Sequence, residues 1–470
     1  MKTIKYGILF LISNMFLVGC SGDLLDLNPE TSNVLNNYYK DQAQLNQGVN
    51  AAYATLQYNG QYKLANLVLG ELPADNTWDE VPANDGGNYG QLDLFSMTSA
   101  NTVIADSWKH AYKGIQQCNV VLNRVDGIDM PEADKGLVKG EMYFLRSLMY
   151  FNLVRIFGDV PLVTKETTDP NEFFGQERTG KSEVYDQIVS DLVAAIPLLP
   201  EKAAQLGRAS RGAADALLGK IYLTLGQYDN SLKYLLAVES LGYELLDNPD
   251  DIFDVENKGN KEILFDVQFK SGVNGNSEGG NTFQMFSPSG SVSGAKGHNL
   301  PTEEAYNLFE DTDKRKSAYF IVTDAGVLGT GKLKQTSETV ADGGSNIVVL
   351  RYADVLLMIA ECYAETGNIE KGNEYLNRIK SRAGISTVNI KAASLLKDEI
   401  ALERRKELIN EGHRWFDLVR TGKGVEVMNA YFAATPGYGG IKISEQNYVQ
   451  PIPQVQIDTD SAIKQNPGYN

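Results

Sequence analysis

Asp75 and Asp79, four residues apart, flank Trp78 in a polar segment that also holds Asn76 and runs on to Tyr89. A carboxylate pair beside an aromatic face is what a glycoside hydrolase needs, one group as acid and the other as nucleophile or base. The same short acidic side chains in a loop also close turns or bond sugar hydroxyls. A flat aromatic face among amides and carboxylates suits a carbohydrate, whose rings have apolar C–H faces and hydroxyl edges. A Trp that simply closes over a helix bundle gives the same pattern. A second acidic set, Glu399, Glu403, Glu407 and Glu411, recurs at four-residue steps. Like charges at that spacing in a helix cost about 0.2–0.5 kcal/mol per pair, so cations must offset them. Arg404, Arg405, Lys406 and Arg414 on the same stretch, or arginines of a neighbouring element, are the candidates.

Other signatures are weaker. Gly175 to Ser182 matches the phosphate-loop spacing, but the preceding residues 169–174 are Asp-Pro-Asn-Glu-Phe-Phe rather than a buried strand. The motif needs that strand to deliver phosphate to a helix N-terminus; Thr179 or Ser182 is instead expected to cap a helix. Three histidines, His110, His298 and His413, leave little material for a metal site. No G-x-S-x-G, H-E-x-x-H or C-x-x-C occurs. No catalytic residue, metal or cofactor is therefore expected. An excess of 60 acidic over 43 basic residues, net −17, repels phosphate-rich partners and argues against nucleic acid.

The elements that must position these residues are mostly helical. Val138, Met142, Leu145, Met149, Leu153 and Ile156 form one apolar helix face, ended by Gly158 and Pro161. Further helices are expected over 41–58, 104–125, 182–198, 209–225, 228–241, 347–366, 369–383 and 395–412. The one convincing strand is 263–269, where Ile263, Phe265, Val267 and Phe269 alternate with other side chains. Gly219, Tyr222 and Gly226 share their spacing with Ala360, Tyr363 and Gly367, and each set precedes a helix carrying Leu235 or Leu376. These are the small, aromatic and turn positions of a tetratricopeptide repeat. Leu356 fits the bulky position and Asp215 departs from it; three or four helix pairs are expected. Between the repeats, the Gly/Ser/Asn-rich stretch 271–298 is too long for a plain connection.

The chain opens with Lys2, Lys5 and an uncharged run to Gly19, too short to span a bilayer, which reads as a signal peptide over 1–19. Leu17-Val18-Gly19-Cys20 resembles the lipobox of bacterial lipoproteins, so Cys20 is the expected lipidation site, with a tether over 20–40. Cys118 and Cys362 lie in apolar helical patterns and read as buried small hydrophobes.

Four stretches now carry a resemblance. Gly140 to Leu162, Leu350 to Glu361, Glu403 to Arg420, and Pro451-Ile452-Pro453 with the tail to Tyr469 resemble the SusD/RagB family of Bacteroidetes outer-membrane lipoproteins, partners of SusC-like TonB-dependent transporters. The resemblance implies an all-α fold of tetratricopeptide-like helix pairs with long irregular loops and a few short strands. It implies one SusD-like domain over 41–470, with an N-terminal part 41–225 and a C-terminal part 226–470. It also implies a surface lipoprotein of the outer membrane that binds an oligosaccharide and hands it to a SusC-like transporter without chemistry. In such a protein the Glu row, His413 and Trp415 are scaffold. The ligand site is expected among loops of the repeat-bearing half, which points to Asp75, Asn76, Trp78, Asp79 and Tyr89 together with Asn281, Phe283 and Phe286. Residue counting alone does not join the two loops. The rival readings are a lipid-anchored glycoside hydrolase using Asp75 and Asp79, a peptide- or glycoprotein-binding protein, and a lid with no ligand site of its own.

Overall fold

The computed structural model describes residues 38–469 apart from 170, 172–173 and 274–277. The signal segment, Cys20 and the tether up to residue 37 lie outside the described residues. Helix Thr102–Arg124 lies between Gln42–Ala54 and Glu132–Phe157, and Lys181–Ala195 packs against Glu132–Phe157. The apolar face read from Val138 to Ile156 is buried along its length. Burying each such large side chain contributes about 1.5–3 kcal/mol.

The two repeat pairs pack as their spacing requires. Arg211–Thr224 lies on Tyr228–Glu239, Tyr352–Glu365 lies on Ile369–Ala383, and the pairs stack on one another. A Cβ on Gly219 would come 2.5 Å from the Leu235 side chain, which would have to shift to admit it. Gly226 and Gly367 turn the chain at φ of 69° and 84°, where a Cβ is strained. Asp215 is buried and pairs with Arg211 at 3.5 Å.

Three boundaries differ from expectation. Residues 347–351 are not the start of a helix: Ile347–Arg351 is strand β6, antiparallel to β2, Ile263–Val267, before helix Tyr352–Glu365 begins. The run Ile-Val-Val-Leu favours a pleated surface, but its partner residues lie 80 to 88 positions away and cannot be seen locally. Strand β2 ends at Val267, two residues short of the expected stretch, and Asp266 is buried with Leu264, Phe265 and Val267, so the strand is covered on both faces. The helix expected over 395–412 is Ala393–Glu407. Beyond it Asn410 and Gly412 adopt φ of 63° and 77°. Glu71 accepts the backbone N–H groups of Asn410, Gly412 and His413 there. Four further short strands pair as β1 (Thr77–Trp78) with β3 (Leu300–Pro301) and β4 (Phe320–Val322) with β5 (Leu328–Thr330).

One local expectation is also corrected, and one of two alternatives is decided. Helix Lys181–Ala195 is capped at Gly180 without a side-chain bond; Asp159 accepts the Lys181 N–H at 2.8 Å, and Thr179 pairs with Val160. The Glu row is neutralised by neighbouring elements rather than by its own helix. Arg315 meets Glu403 and Glu407 at 2.5 and 2.9 Å, and Arg351 meets Glu407 and Glu411 at 2.6 and 2.8 Å. Arg382 and Lys332 complete the buried lattice on Glu407 and Glu411. Arg404, Arg405 and Lys406 point instead to Asp354, Asp75 and Asp313.

Candidate functional site

The segments around 76–89 and 284–302 close against each other. In the short ladder β1 to β3, Trp78 faces Leu300 and Thr77 faces Pro301. The Thr302 N–H donates to the Asn76 carbonyl at 2.9 Å, and the Glu80 N–H to the Gly297 carbonyl at 2.9 Å. Thr77 Oγ1 donates to Asn299 Oδ1, Ser289 N–H to Glu80 Oε2, and Asn84 Nδ2 to the Lys296 carbonyl. The short helix Thr282–Met285 is drawn onto the same ladder, because Lys296, Gly297 and His298 donate N–H bonds to Gln284, Ser287 and Met285. Thr282 Oγ1 also reaches the Lys63 carbonyl.

Below this surface is a layer of buried polar side chains. His298, fully buried, places Nδ1 2.9 Å from Asp79 Oδ1 and Nε2 2.8 Å from Asp85 Oδ2. Tyr89 stacks on its ring at 3.9 Å. Asp93 accepts the Asp79 N–H at 3.1 Å and the Tyr438 hydroxyl at 2.9 Å. Burial outweighs those bonds and pushes the Asp93 carboxyl up to about 7. Asp75 is gripped by Arg414 through both oxygens at 2.8 and 2.9 Å and by Arg405 at 3.1 Å. Burial would raise its pKa, but Arg414 and Arg405 hold it below the usual carboxylate range. Asn76 accepts from Arg405 and donates to Glu71.

The expected site residues therefore separate into two groups. Asp75, Asn76, Asp79, Tyr89 and Phe286 are buried, so protein covers the surfaces expected to meet a ligand; they support the loops from beneath. Asp75, Asn76 and Asp79 bond Glu71 and, from distant segments, Arg414, Arg405 and His298, and Tyr89 and Phe286 pack in the core, which a reading of loops as exposed polar segments does not foresee. Trp78, Asn281 and Phe283 keep partly exposed surface, and Asn281 Oδ1 has no hydrogen-bond partner. Around Trp78 the exposed rim is Pro82 to Gly86 and Ser289 to Gly294. His298, Asp85, Asp93, Arg405 and Arg414 were not singled out from sequence for this site. They lie as much as 345 positions from their partners, so no local signal links them. The arrangement holds a partly exposed Trp78 on a short two-stranded ladder, with backbone and amide groups along its rim.

Two family models match the chain: one described as "Starch-binding associating with outer membrane" over residues 23–223, the other as "SusD family" over 323–469. SusD-like protein P2 of Formosa agariphila is 26% identical across 99% of this chain and 100% of its own. Starch-binding protein SusD of Bacteroides thetaiotaomicron is 24% identical, covering 85% of this chain and 84% of its own. A solved laminarin-binding SusD-like protein superposes with a TM-score of 0.80 at 29% identity, over 92% of this chain and 100% of that one. The surface glycan-binding protein A of Bacteroides thetaiotaomicron, solved with laminarihexaose, shares the fold at a TM-score of 0.80 and 24% identity. Full-length coverage, the shared helical architecture and the two flanking family matches agree: the chain belongs to the SusD/RagB family.

Proposed function

We propose that this protein is a cell-surface glycan-binding lipoprotein, anchored in the outer membrane through Cys20, that captures an oligosaccharide and delivers it to a SusC-like TonB-dependent transporter. The observation that carries the reading is the ledge around Trp78: a partly exposed indole held by the β1 to β3 ladder over a buried polar layer. Such a ring loses little freedom on binding, and stacking a sugar on it contributes about 1 kcal/mol beyond area burial. The 29% identical relative is described as laminarin binding, so a β-glucan of that type is the first ligand to try.

The hydrolase reading is the weaker one. A general acid must hold a proton and reach the scissile oxygen. Asp75 is buried, ion-paired to two arginines and held ionised. An Asp75 held in this way has no proton to give, which favours binding without chemistry.

Calorimetric titration of the protein and of Trp78→Ala with laminarin oligosaccharides and with starch- and xylan-derived controls tests the reading. A glycan bound at roughly 10 μM to 1 mM, with binding lost in Trp78→Ala at an unchanged fold, is expected. A glycan bound equally by both proteins moves the site elsewhere. Release of reducing ends by the purified protein overturns the non-catalytic reading.

A further inference from the structure

Away from the Trp78 loops, a partly open cavity of about 30 Å³ lies where helices Ala65–Glu71, Glu132–Phe157 and Arg211–Thr224 meet strand β6. Tyr62, Asn66, Asn152, Arg155, Lys220 and His413 supply most of its polar wall, and the Glu411 carboxylate completes it. The Arg155 guanidinium is clasped between the rings of Phe151 and Phe416, 4.0 and 4.1 Å from their centroids. Its Nε donates to the Phe151 carbonyl at 3.2 Å and Nη2 to Asn152 Oδ1 at 2.6 Å. Among the described residues no carboxylate lies within ion-pair distance of it, whereas the buried cations around it are all matched. Lys220 sits on Asp354 at 2.9 Å, and Arg404 shares that carboxylate. Glu411 is taken by Lys332 and Arg351.

The hydrogen-bond supply in the wall has the same sign. Lys220 places Nζ 2.8 Å from His413 Nδ1. An ammonium only donates, so Nδ1 accepts and the ring proton is on Nε2. Burial, with Lys220 beside it, pulls this imidazole down to about 3, and the ring is neutral. Tyr62 accepts from Asn152 at 2.9 Å, which leaves its own hydrogen for another partner. Against these donors stands one orphaned acceptor, Asn66 Oδ1. With the Glu411 carboxylate set against Arg155 and Lys220, and His413 neutral, the wall carries one net positive charge and surplus donors around a small space.

We propose that this cavity is a structural binding site for a small monovalent inorganic anion of the halide class, with chloride as the natural occupant. The anion neutralises Arg155 and takes the donors that Tyr62 and Lys220 turn inward. Halides fit because they are compact, carry a single charge to match Arg155, and are cheaper to dehydrate than multivalent ions. The site is independent of the glycan reading, and its occupant ties the N-terminal helices to the first repeat.

Crystals of the full protein soaked in bromide should show an anomalous-difference peak in the cavity beside Arg155. In solution, Tm should rise by about 2–3 °C over a hundredfold increase in bromide above half-saturation, at ionic strength matched with gluconate. Arg155→Met keeps the aromatic clasp filled and removes the charge, and should abolish that dependence. Bromide peaks found only on the outer surface, a cavity occupied by water alone, or an equal bromide response in Arg155→Met would overturn the proposal. If the variant does not fold, the soak of the unmodified protein decides.

Discussion

Glu407→Gln is the sharpest test of how the Glu row is tolerated. The side chain is fully buried and accepts from Arg315 at 2.9 Å, Arg351 at 2.6 Å, Tyr319 at 3.1 Å and also Arg382. The amide is nearly isosteric, so packing is kept while three guanidiniums lose their shared anion. Breaking a buried pair in this way costs about 3–5 kcal/mol, because the remaining charges stay desolvated. A 470-residue chain unfolds with an entropy of about 1 kcal/mol per degree, so Tm should fall by about 3–5 °C, and urea denaturation gives the free energy directly. Glu399→Gln is the control. Glu399 meets Lys380 at 2.7 Å with its side chain 25% exposed, and such a pair is worth about 0–1 kcal/mol. Burial alone would raise the Glu407 carboxyl, but Arg382, Arg351 and Arg315 hold it well below 4.5. A depressed folded value stabilises above the unfolded value and is lost as pH falls through the folded one. The gap between the protein and Glu407→Gln should therefore stay constant from about pH 8 to 5 and narrow only below about 4.5. If Glu407→Gln costs no more than Glu399→Gln at pH 7, the buried lattice is not what stabilises this half of the molecule.

Gly70→Ala should destabilise by more than about 2 kcal/mol or prevent folding, because its Cβ would come 2.0 Å from the Gly412 carbonyl oxygen. Gly127→Ala meets nothing within 4 Å and should be neutral or stabilising by about 0.4–1 kcal/mol; matching Tm changes for the two variants would refute the close-approach argument. Burial sets the Asp93 carboxyl up at about 7, so its stabilising protonated form is lost as pH rises through that value. Asp93→Asn should then gain on the parent protein between pH 5 and pH 8 in denaturant titrations. A gain that instead grows toward low pH would show that Asp93 is held ionised.

The helical body was legible because its signals are local. The apolar steps from Val138 to Ile156 and the matched Gly219, Tyr222, Gly226 and Ala360, Tyr363, Gly367 spacings report burial and turn geometry within one or two helices. The Glu row also told correctly that cations must face it. What sequence could not supply was who faces whom. Ile347–Arg351 read as helix because its partner β2 is remote. Arg315, Arg351 and Arg382 come to Glu407 from three different elements. Asp75 and Asp79 look like an exposed carboxylate pair until Arg414 and His298, 339 and 219 positions away, cover them. A buried charge is acceptable only with its partner in place, and those partners meet only when the chain has closed. Side-chain type and helical period were thus determined by the sequence itself, whereas the tertiary structure decided which polar groups support the ledge from below and which remain at its surface.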